Sequence, residues 1–178
     1  FDFAVTLEGG GGDDTLLGGS AGDSLDGGDG VDQIQQTVDL EQILSDTLVT
    51  GRGADTLSSI EEAVLIGGPQ GTNINSAAFT GNATLIGNGG NDTLIAGSGN
   101  DLLDGGDGDD RIFGQGGNDT ADGAAGNDSL VGGDGDDVLL GGAADDTLLG
   151  EGGNDSLLGE AGVDSVDGGS GTNTVTGG

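Results

Sequence analysis

Aliphatic residues recur every nine positions through the second half of the chain, each set among polar residues and glycine. From Gly87 to Thr176 there are ten consecutive nonapeptides with an aliphatic eighth residue. Glycine in the first half of each nonapeptide supports turns, while strand-forming residues surround the eighth position. The pattern predicts a loop followed by a strand of three residues with the eighth residue facing inward. The eighth-position residues are Leu94, Leu103, Ile112, Ala121, Leu130, Leu139, Leu148, Leu157, Val166 and Val175.

The sixth position of the same nonapeptides is acidic in every repeat but the last. The repeats begin GNGGNDTLI, AGSGNDLLD and GGDGDDRIF, and the fourth residue is glycine everywhere except Ala144. In this spacing the chain resembles the RTX family of calcium-binding parallel β-rolls, whose repeat is GGxGxDxUx. The sixth-position residues are Asp92, Asp101, Asp110, Asp119, Asp128, Asp137, Asp146, Asp155, Asp164 and Asn173.

The resemblance implies an all-β fold, a right-handed β-solenoid with two nonapeptides in each coil of 18 residues. Sixth-position residues 18 apart would then stack along the two edges of the roll. We call Asp92, Asp110, Asp128, Asp146 and Asp164 the first column. Asp101, Asp119, Asp137, Asp155 and Asn173 form the second column.

Calcium is the expected ligand of these columns. Strands stack about 4.8 Å apart, and calcium binds six to eight oxygen ligands at about 2.3 to 2.6 Å, so an ion fits between two successive loops. Zinc and copper lack their usual His and Cys ligands here. We expect about nine ions in all, with the gap at Asn173 weakest because it lacks one negative charge.

A shorter block of the same repeat lies near the start of the chain. Three nonapeptides span residues 9–35, and Asp14, Asp23 and Asp32 occupy their sixth positions. Only the first and third repeats share an edge, which predicts one complete metal site between Asp14 and Asp32.

These blocks predict three regions within one elongated domain: residues 1–35, a central segment over 36–86, and the main block over 87–178. Apolar residues of the central segment still recur near every ninth position, at Leu40, Leu48, Leu57, Leu65 and Ile74. This spacing favours a continuing β-coil with few ion sites. The alternative is a pair of short amphipathic helices over 40–48 and 58–66, where Glu61 and Glu62 suit a helix start.

Composition explains why such a fold needs a metal and limits what else the chain does. The formal net charge is -31, with 33 acidic residues against two arginines. Divalent cations relieve such self-repulsion, whereas nucleic acid and anionic lipid would be repelled. No apolar run reaches membrane-spanning length. Without His, Cys or Tyr, the usual catalytic triads and His-metal centres cannot form, so we expect no catalytic residues and no enzyme activity.

Three functions fit these expectations, all outside the cell and all involving calcium. The first is a structural or extender segment of a large secreted or cell-surface bacterial protein, such as an adhesin. The second is the carboxy-terminal secretion and folding module of an enzyme or toxin exported by type I secretion. The third is a subunit of a calcium-dependent fibre. The sequence reads as a fragment of a longer chain, so neighbouring domains are expected partners, with lateral or end-to-end self-association as a further possibility.

Overall fold

Every regular element of the computed structural model is a β-strand. The structure describes residues 3–19, 21–37, 41–50 and 54–178, and within them there is no helix, hence none that could cross a bilayer. The strands are β1 (Thr6–Gly11), β2 (Thr15–Leu16), β3 (Ser24–Asp29), β4 (Gln33–Thr37), β5 (Glu41–Ser45), β6 (Leu48–Thr50), β7 (Ala54–Ser58), β8 (Glu62–Ile66), β9 (Asn73–Ala78), β10 (Asn82–Ile86), β11 (Thr93–Ile95), β12 (Leu102–Asp107), β13 (Arg111–Gly116), β14 (Thr120–Ala125), β15 (Ser129–Asp134), β16 (Val138–Ala143), β17 (Thr147–Gly152), β18 (Ser156–Ala161), β19 (Ser165–Asp167) and β20 (Thr174–Thr176).

Outside β5, β6 and β7, successive strands alternate between two sheets, which makes the chain a parallel β-solenoid. The first sheet has the order β1-β3-β7-β6-β5-β9-β11-β13-β15-β17-β19, and the second has β2-β4-β8-β10-β12-β14-β16-β18-β20. In the main block each residue pairs with the residue 18 further on, as Ile112 pairs with Leu130. The predicted all-β roll with two nonapeptides per coil is therefore confirmed.

The eighth-position residues form the core between the sheets. From Leu94 to Leu157 each of them is at most 1% exposed, and Val166 packs against the same cluster. Val175 is 49% exposed because β20 is the edge strand of its sheet and has a neighbour on one side only.

The strands of the main block are longer than the predicted three residues. Most have six residues, as in β12 and β18, because backbone pairing continues into the glycine-rich part of the next repeat. Gly106 pairs with Ala124 in this way. The first-position glycine consequently faces the interior beside the core residue, a placement that bears on the metal sites.

The central segment departs from a simple coil in the first sheet. Strands β5, β6 and β7 form an antiparallel meander inserted between β3 and β9, while β4 pairs directly with β8 in the second sheet. Reversal of the chain buries Leu44 and Val49 and leaves Leu48 37% exposed, contrary to the nine-residue spacing. The two helices considered for this segment are replaced by strands, and Leu40 lies outside the described residues.

The core of the central segment is larger than that of the repeats. Leu57, Leu65, Ile74 and Leu85 are buried, and Phe79 is the largest fully buried side chain. No acidic residue occurs between Glu62 and Asp92. The part of the central segment that follows Glu62 thus has an ordinary apolar core and no acidic side chain to neutralise.

The alanine at the fourth position of one main-block repeat should weaken the roll. Ala144 has a φ of 90°, a conformation that costs little only for glycine. We expect Ala144→Gly to stabilise the calcium-loaded chain by about 1 kcal/mol, measured by urea unfolding. The neighbouring Ala143 lies in β16 without a positive φ, so Ala143→Gly should instead destabilise by about 0.5 to 1 kcal/mol. Equal effects of the two substitutions would contradict this explanation.

Candidate metal centres

Loops between the two sheets place the sixth-position residues in two columns. In the first column the backbone N–H of Asp92 donates to Oδ1 of Asp110 at 2.7 Å. The same bond joins each member of this column to the next, as far as Asp164. The second column repeats the bond from Asp101 to Asn173, at 2.8 to 3.0 Å. One oxygen of each carboxylate therefore holds the preceding loop, and the predicted stacking brings these residues together.

The other oxygen of most of these carboxylates has no donor. It is fully buried and accepts no hydrogen bond from the described residues. Burial of an unpaired carboxylate oxygen is costly unless a cation compensates it. These unpaired Oδ2 atoms belong to Asp14, Asp32, Asp92, Asp110, Asp119, Asp128, Asp137, Asp146, Asp155 and Asp164.

Backbone carbonyl oxygens converge on the same space. At Gly87 a side-chain Cβ would lie 2.3 Å from Oδ2 of Asp92 and 2.4 Å from the carbonyl oxygen of Gly105, one coil further on. At Gly123 the corresponding distances are 2.5 Å to Asp128 and 2.6 Å to the carbonyl of Gly141. The first-position glycine thus leaves room for a carboxylate and a carbonyl oxygen with no donor between them, which is an environment for a cation.

The amino-terminal block contains the predicted pair. The N–H of Asp14 donates to Oδ1 of Asp32 at 2.9 Å, and both residues have a buried, unpaired Oδ2. Asp23 is different, because its carboxylate accepts from the N–H groups of Val5 and Gly19. These donors hold the pKa of Asp23 below its usual value. Donors of the protein already compensate the charge at this position.

Asp101 is the exception in the main block. Its Oδ1 accepts from the N–H of Ala83 at 2.6 Å and its Oδ2 from the N–H of Gly97 at 3.2 Å. Ala96, which is fully buried, occupies the first position of this repeat, where every other repeat of the main block has glycine. We attribute the different hydrogen bonding to this methyl group, which takes up the space that glycine leaves free elsewhere.

Asn173 fills its gap with a donor. Its Oδ1 accepts from the N–H of Asp155, as an aspartate would. Its Nδ2, however, donates to the carbonyl oxygen of Gly168 at 2.6 Å. An amide N–H therefore stands where the other repeats have an unpaired oxygen, which supports the expectation that this is the weakest gap.

Burial makes seven carboxyl groups of the two columns weaker acids than usual. Burial raises the pKa of Asp110 to about 6 and the pKa values of Asp119 and Asp128 to about 7. Backbone N–H donors lower these pKa values, and like charges in the same column raise them further. Burial likewise raises the pKa values of Asp92, Asp101, Asp137 and Asp146. Binding of protons or cations to these carboxyl groups therefore stabilises the folded chain.

The oxygen arrangement suits a hard cation. Within the described ranges no three acidic side chains come close enough to share an ion, so any site would combine carboxylate oxygens with backbone carbonyls. Calcium accepts such mixed oxygen sets in flexible geometry, whereas magnesium requires a tighter octahedron. The residues present thus fit calcium.

A family profile for the RTX calcium-binding nonapeptide repeat matches residues 6–34, 44–59, 78–112, 86–121, 113–148, 122–157 and 140–175, which together cover well over half of the chain. The chain belongs to the RTX calcium-binding repeat family. It is a segment of calcium-binding repeats, and the RTX β-roll is a structural fold rather than a typical catalytic one. No curated protein matches the chain as a relative.

Two features of the RTX loops were not predicted from the sequence. The first-position glycine matters because a side chain there would meet the carboxylate, and the substitution at Ala96 was visible in the repeat pattern. The fifth position is Asn or Asp in most repeats and forms hydrogen bonds of its own, such as that from the N–H of Asn118 to Oδ1 of Asn100.

The raised pKa values predict opposite effects of pH on the two forms of the chain. A carboxyl group with a higher pKa when folded stabilises the calcium-free fold at low pH, and this stability is lost as the pH rises from about 4 to about 7. Calcium must displace these protons, so acidification should weaken calcium binding. Circular dichroism of chain stripped of calcium on a resin, and calcium titrations at pH 6 and 8, test both effects. A calcium affinity independent of pH would contradict the prediction.

Proposed function

We propose that this chain is a calcium-stabilised structural segment of a secreted or cell-surface protein, in which calcium lies between successive loops of each column. The observation that carries the proposal is the series of buried Oδ2 atoms that lack donors and face carbonyl oxygens. Calcium between the loops would replace the missing hydrogen-bond donors and neutralise the acids in pairs. The ligand residues are those with an unpaired Oδ2 together with Asp101 and Asn173.

The sites are not equivalent. Strong sites are expected between Asp92 and Asp164 along the first column, between Asp119 and Asp155 along the second, and between Asp14 and Asp32. Asp101 and Asn173 already have protein partners for the oxygen or nitrogen atom that faces the gap. An ion beside either residue would have to displace a hydrogen bond, so these gaps should fill last.

The organisation of the roll divides the function between its regions. Residues 1–35 and 87–178 are the calcium-dependent blocks, and residues 36–86 join them with a core that contains no acidic side chain after Glu62. This division rests on the buried Leu65, Ile74 and Phe79 and on the absence of acidic residues from 63 to 91. The central segment therefore keeps its fold when calcium is withdrawn, and the blocks on either side do not.

The segment works outside the cell, where calcium is plentiful. RTX repeats generally occur in secreted bacterial proteins, and sites of this kind have affinities of about 10⁻⁴ to 10⁻³ M. At such affinities the main block stays unfolded in a cytosol poor in calcium and folds after export. Once folded, its repeated coils act as a stiff extender, as in an adhesin.

Calcium should drive folding of the two blocks but not of the central segment. We expect the full chain in chelator to lose most of its β signal in circular dichroism and to regain it in millimolar calcium. Hydrogen exchange measured by mass spectrometry should show protection of residues 62–86 in chelator and of residues 102–157 only with calcium. An unchanged β signal in chelator would overturn the proposed function.

Closing the space at one first-position glycine should remove an ion without removing a ligand. The Cβ of Gly123→Ala would lie 2.5 Å from Oδ2 of Asp128 and 2.6 Å from the carbonyl of Gly141. We expect this variant to bind about one calcium ion fewer than the wild type, measured by calorimetric titration. At Gly116 a Cβ meets nothing closer than 4.0 Å, so Gly116→Ala is the matched control and should retain the full number. Equal ion counts in the two variants would contradict the inter-loop position of calcium.

A further inference from the structure

The fifth-position residues form a second series of hydrogen bonds, on the outer side of the sixth-position columns. The side-chain Oδ1 of each member accepts the backbone N–H of the fifth-position residue one coil further on, at 2.7 to 3.2 Å. We call this series the outer ladder. Its acceptors are Asp13, Asn91, Asp109, Asn127 and Asp145 on some loops, and Asn82, Asn100, Asn118, Asp136 and Asn154 on the others.

The outer ladder runs in the opposite direction to the sixth-position bonds. The N–H of Asn118 donates back to Asn100, in the preceding coil, at 2.8 Å. The N–H of the next residue, Asp119, donates forward to Asp137, also at 2.8 Å. Two adjacent N–H groups thus tie each loop to both of its neighbours, and the spacing between loops is fixed from both sides.

Charge distinguishes the two series. The sixth-position columns are acidic at every step before Asn173, whereas the outer ladder never places two acids in consecutive coils. Along one edge it alternates as Asn91, Asp109, Asn127 and Asp145. Like charges directly opposite each other on neighbouring strands are unfavourable. The outer ladder avoids that repulsion by its own composition, and the inner columns require cations to avoid it.

The ladder needs only an acceptor oxygen, which both Asn and Asp provide. Val163 and Thr172 donate their N–H groups to Asp145 and Asn154, and no described residue donates to their side chains. The ladder therefore ends at these two loops. The sixth-position hydrogen bonds are still formed there, to Asp164 and Asn173.

We propose that the fifth-position Asn and Asp residues are positioning residues for the calcium sites: in the folded roll their outer ladder holds successive loops one strand spacing apart through bonds that do not involve the ion. The proposal rests on the proposed function, because it concerns the gaps in which calcium would bind. Bonds that fix the width of a gap reduce the conformational entropy cost that calcium binding alone must offset when the loops become ordered around the ion. Loss of one ladder bond should weaken calcium binding and its cooperativity, while the number of ions stays the same.

Asp109 offers a test in which charge is held constant. Its Oδ1 accepts from the N–H of Asn127 at 2.9 Å, across the gap between Asp110 and Asp128. Asp109→Asn retains an acceptor and Asp109→Ala removes it, and the two variants have the same net charge. In calcium titrations of the full chain, followed by circular dichroism and calorimetry, we expect the calcium affinity of Asp109→Ala to be about five to ten times lower than that of Asp109→Asn, with equal ion counts.

Two further pairs control the comparison. Asp134 is exposed and its side chain makes no hydrogen bond with the described residues, so Asp134→Ala and Asp134→Asn should bind calcium alike. If Asp109→Ala fails to fold even in excess calcium, the pair Asp145→Ala and Asp145→Asn gives the same comparison at the bond to Val163.

The outcomes separate the ladder from the calcium sites themselves. Equal affinities of the Ala and Asn variants at both positions would overturn the ladder proposal while leaving calcium binding intact. Loss of an ion from Asp109→Ala and Asp109→Asn alike would make Asp109 a ligand and would also overturn it. Absence of calcium binding by the wild-type chain would instead overturn the proposed function.

Discussion

The structure depends on a buried carboxylate oxygen that faces a backbone carbonyl across the gap between two coils. Two acceptors in one dry space repel each other unless a cation or a proton lies between them. The repeat creates this opposition in several coils, as at Asp92 and Gly105 or at Asp128 and Gly141. An apolar core of one aliphatic residue per nonapeptide is too thin to offset it alone. Folding of the repeat blocks and neutralisation of their loops are therefore a single process.

Small changes within a repeat decide whether a coil depends on metal. In the repeat where Ala96 replaces the first glycine, the Asp101 carboxylate already accepts a hydrogen bond through its Oδ2. An amide at Asn173 supplies its own donor. From residue 63 to residue 91 there is no acid, and in this stretch Phe79 fills the interior instead. The same solenoid geometry thus accommodates coils stabilised by ions and coils stabilised by apolar contacts.

Periodicity predicted most of the fold because every coil of a solenoid repeats one environment. The aliphatic ladder, the two columns and the 18-residue stacking all follow from that repetition. The spacing of apolar residues could not predict the meander of β5, β6 and β7. The direction of a strand depends on the strands it pairs with, and these can be distant in the sequence. Nor did the spacing predict the different hydrogen bonding of Asp101, which involves Ala96, five positions earlier, and the N–H of Gly97. The repeat pattern shows Asn or Asp at the fifth position, but it does not show that these residues form hydrogen bonds to the neighbouring coil.

The meander also sets the distance over which the charges of the two acidic blocks interact in the first sheet. In the first sheet β7, β6, β5 and β9 lie between β3 and β11, which separates the facing strands of the blocks by about 24 Å at 4.8 Å per step. The Debye length in physiological salt is about 8 Å. In the second sheet only β8 and β10 lie between β4 and β12, which leaves about 14 Å at 4.8 Å per step. The central segment therefore screens each block from most of the charge of the other, and the two blocks respond to calcium largely as separate cooperative units.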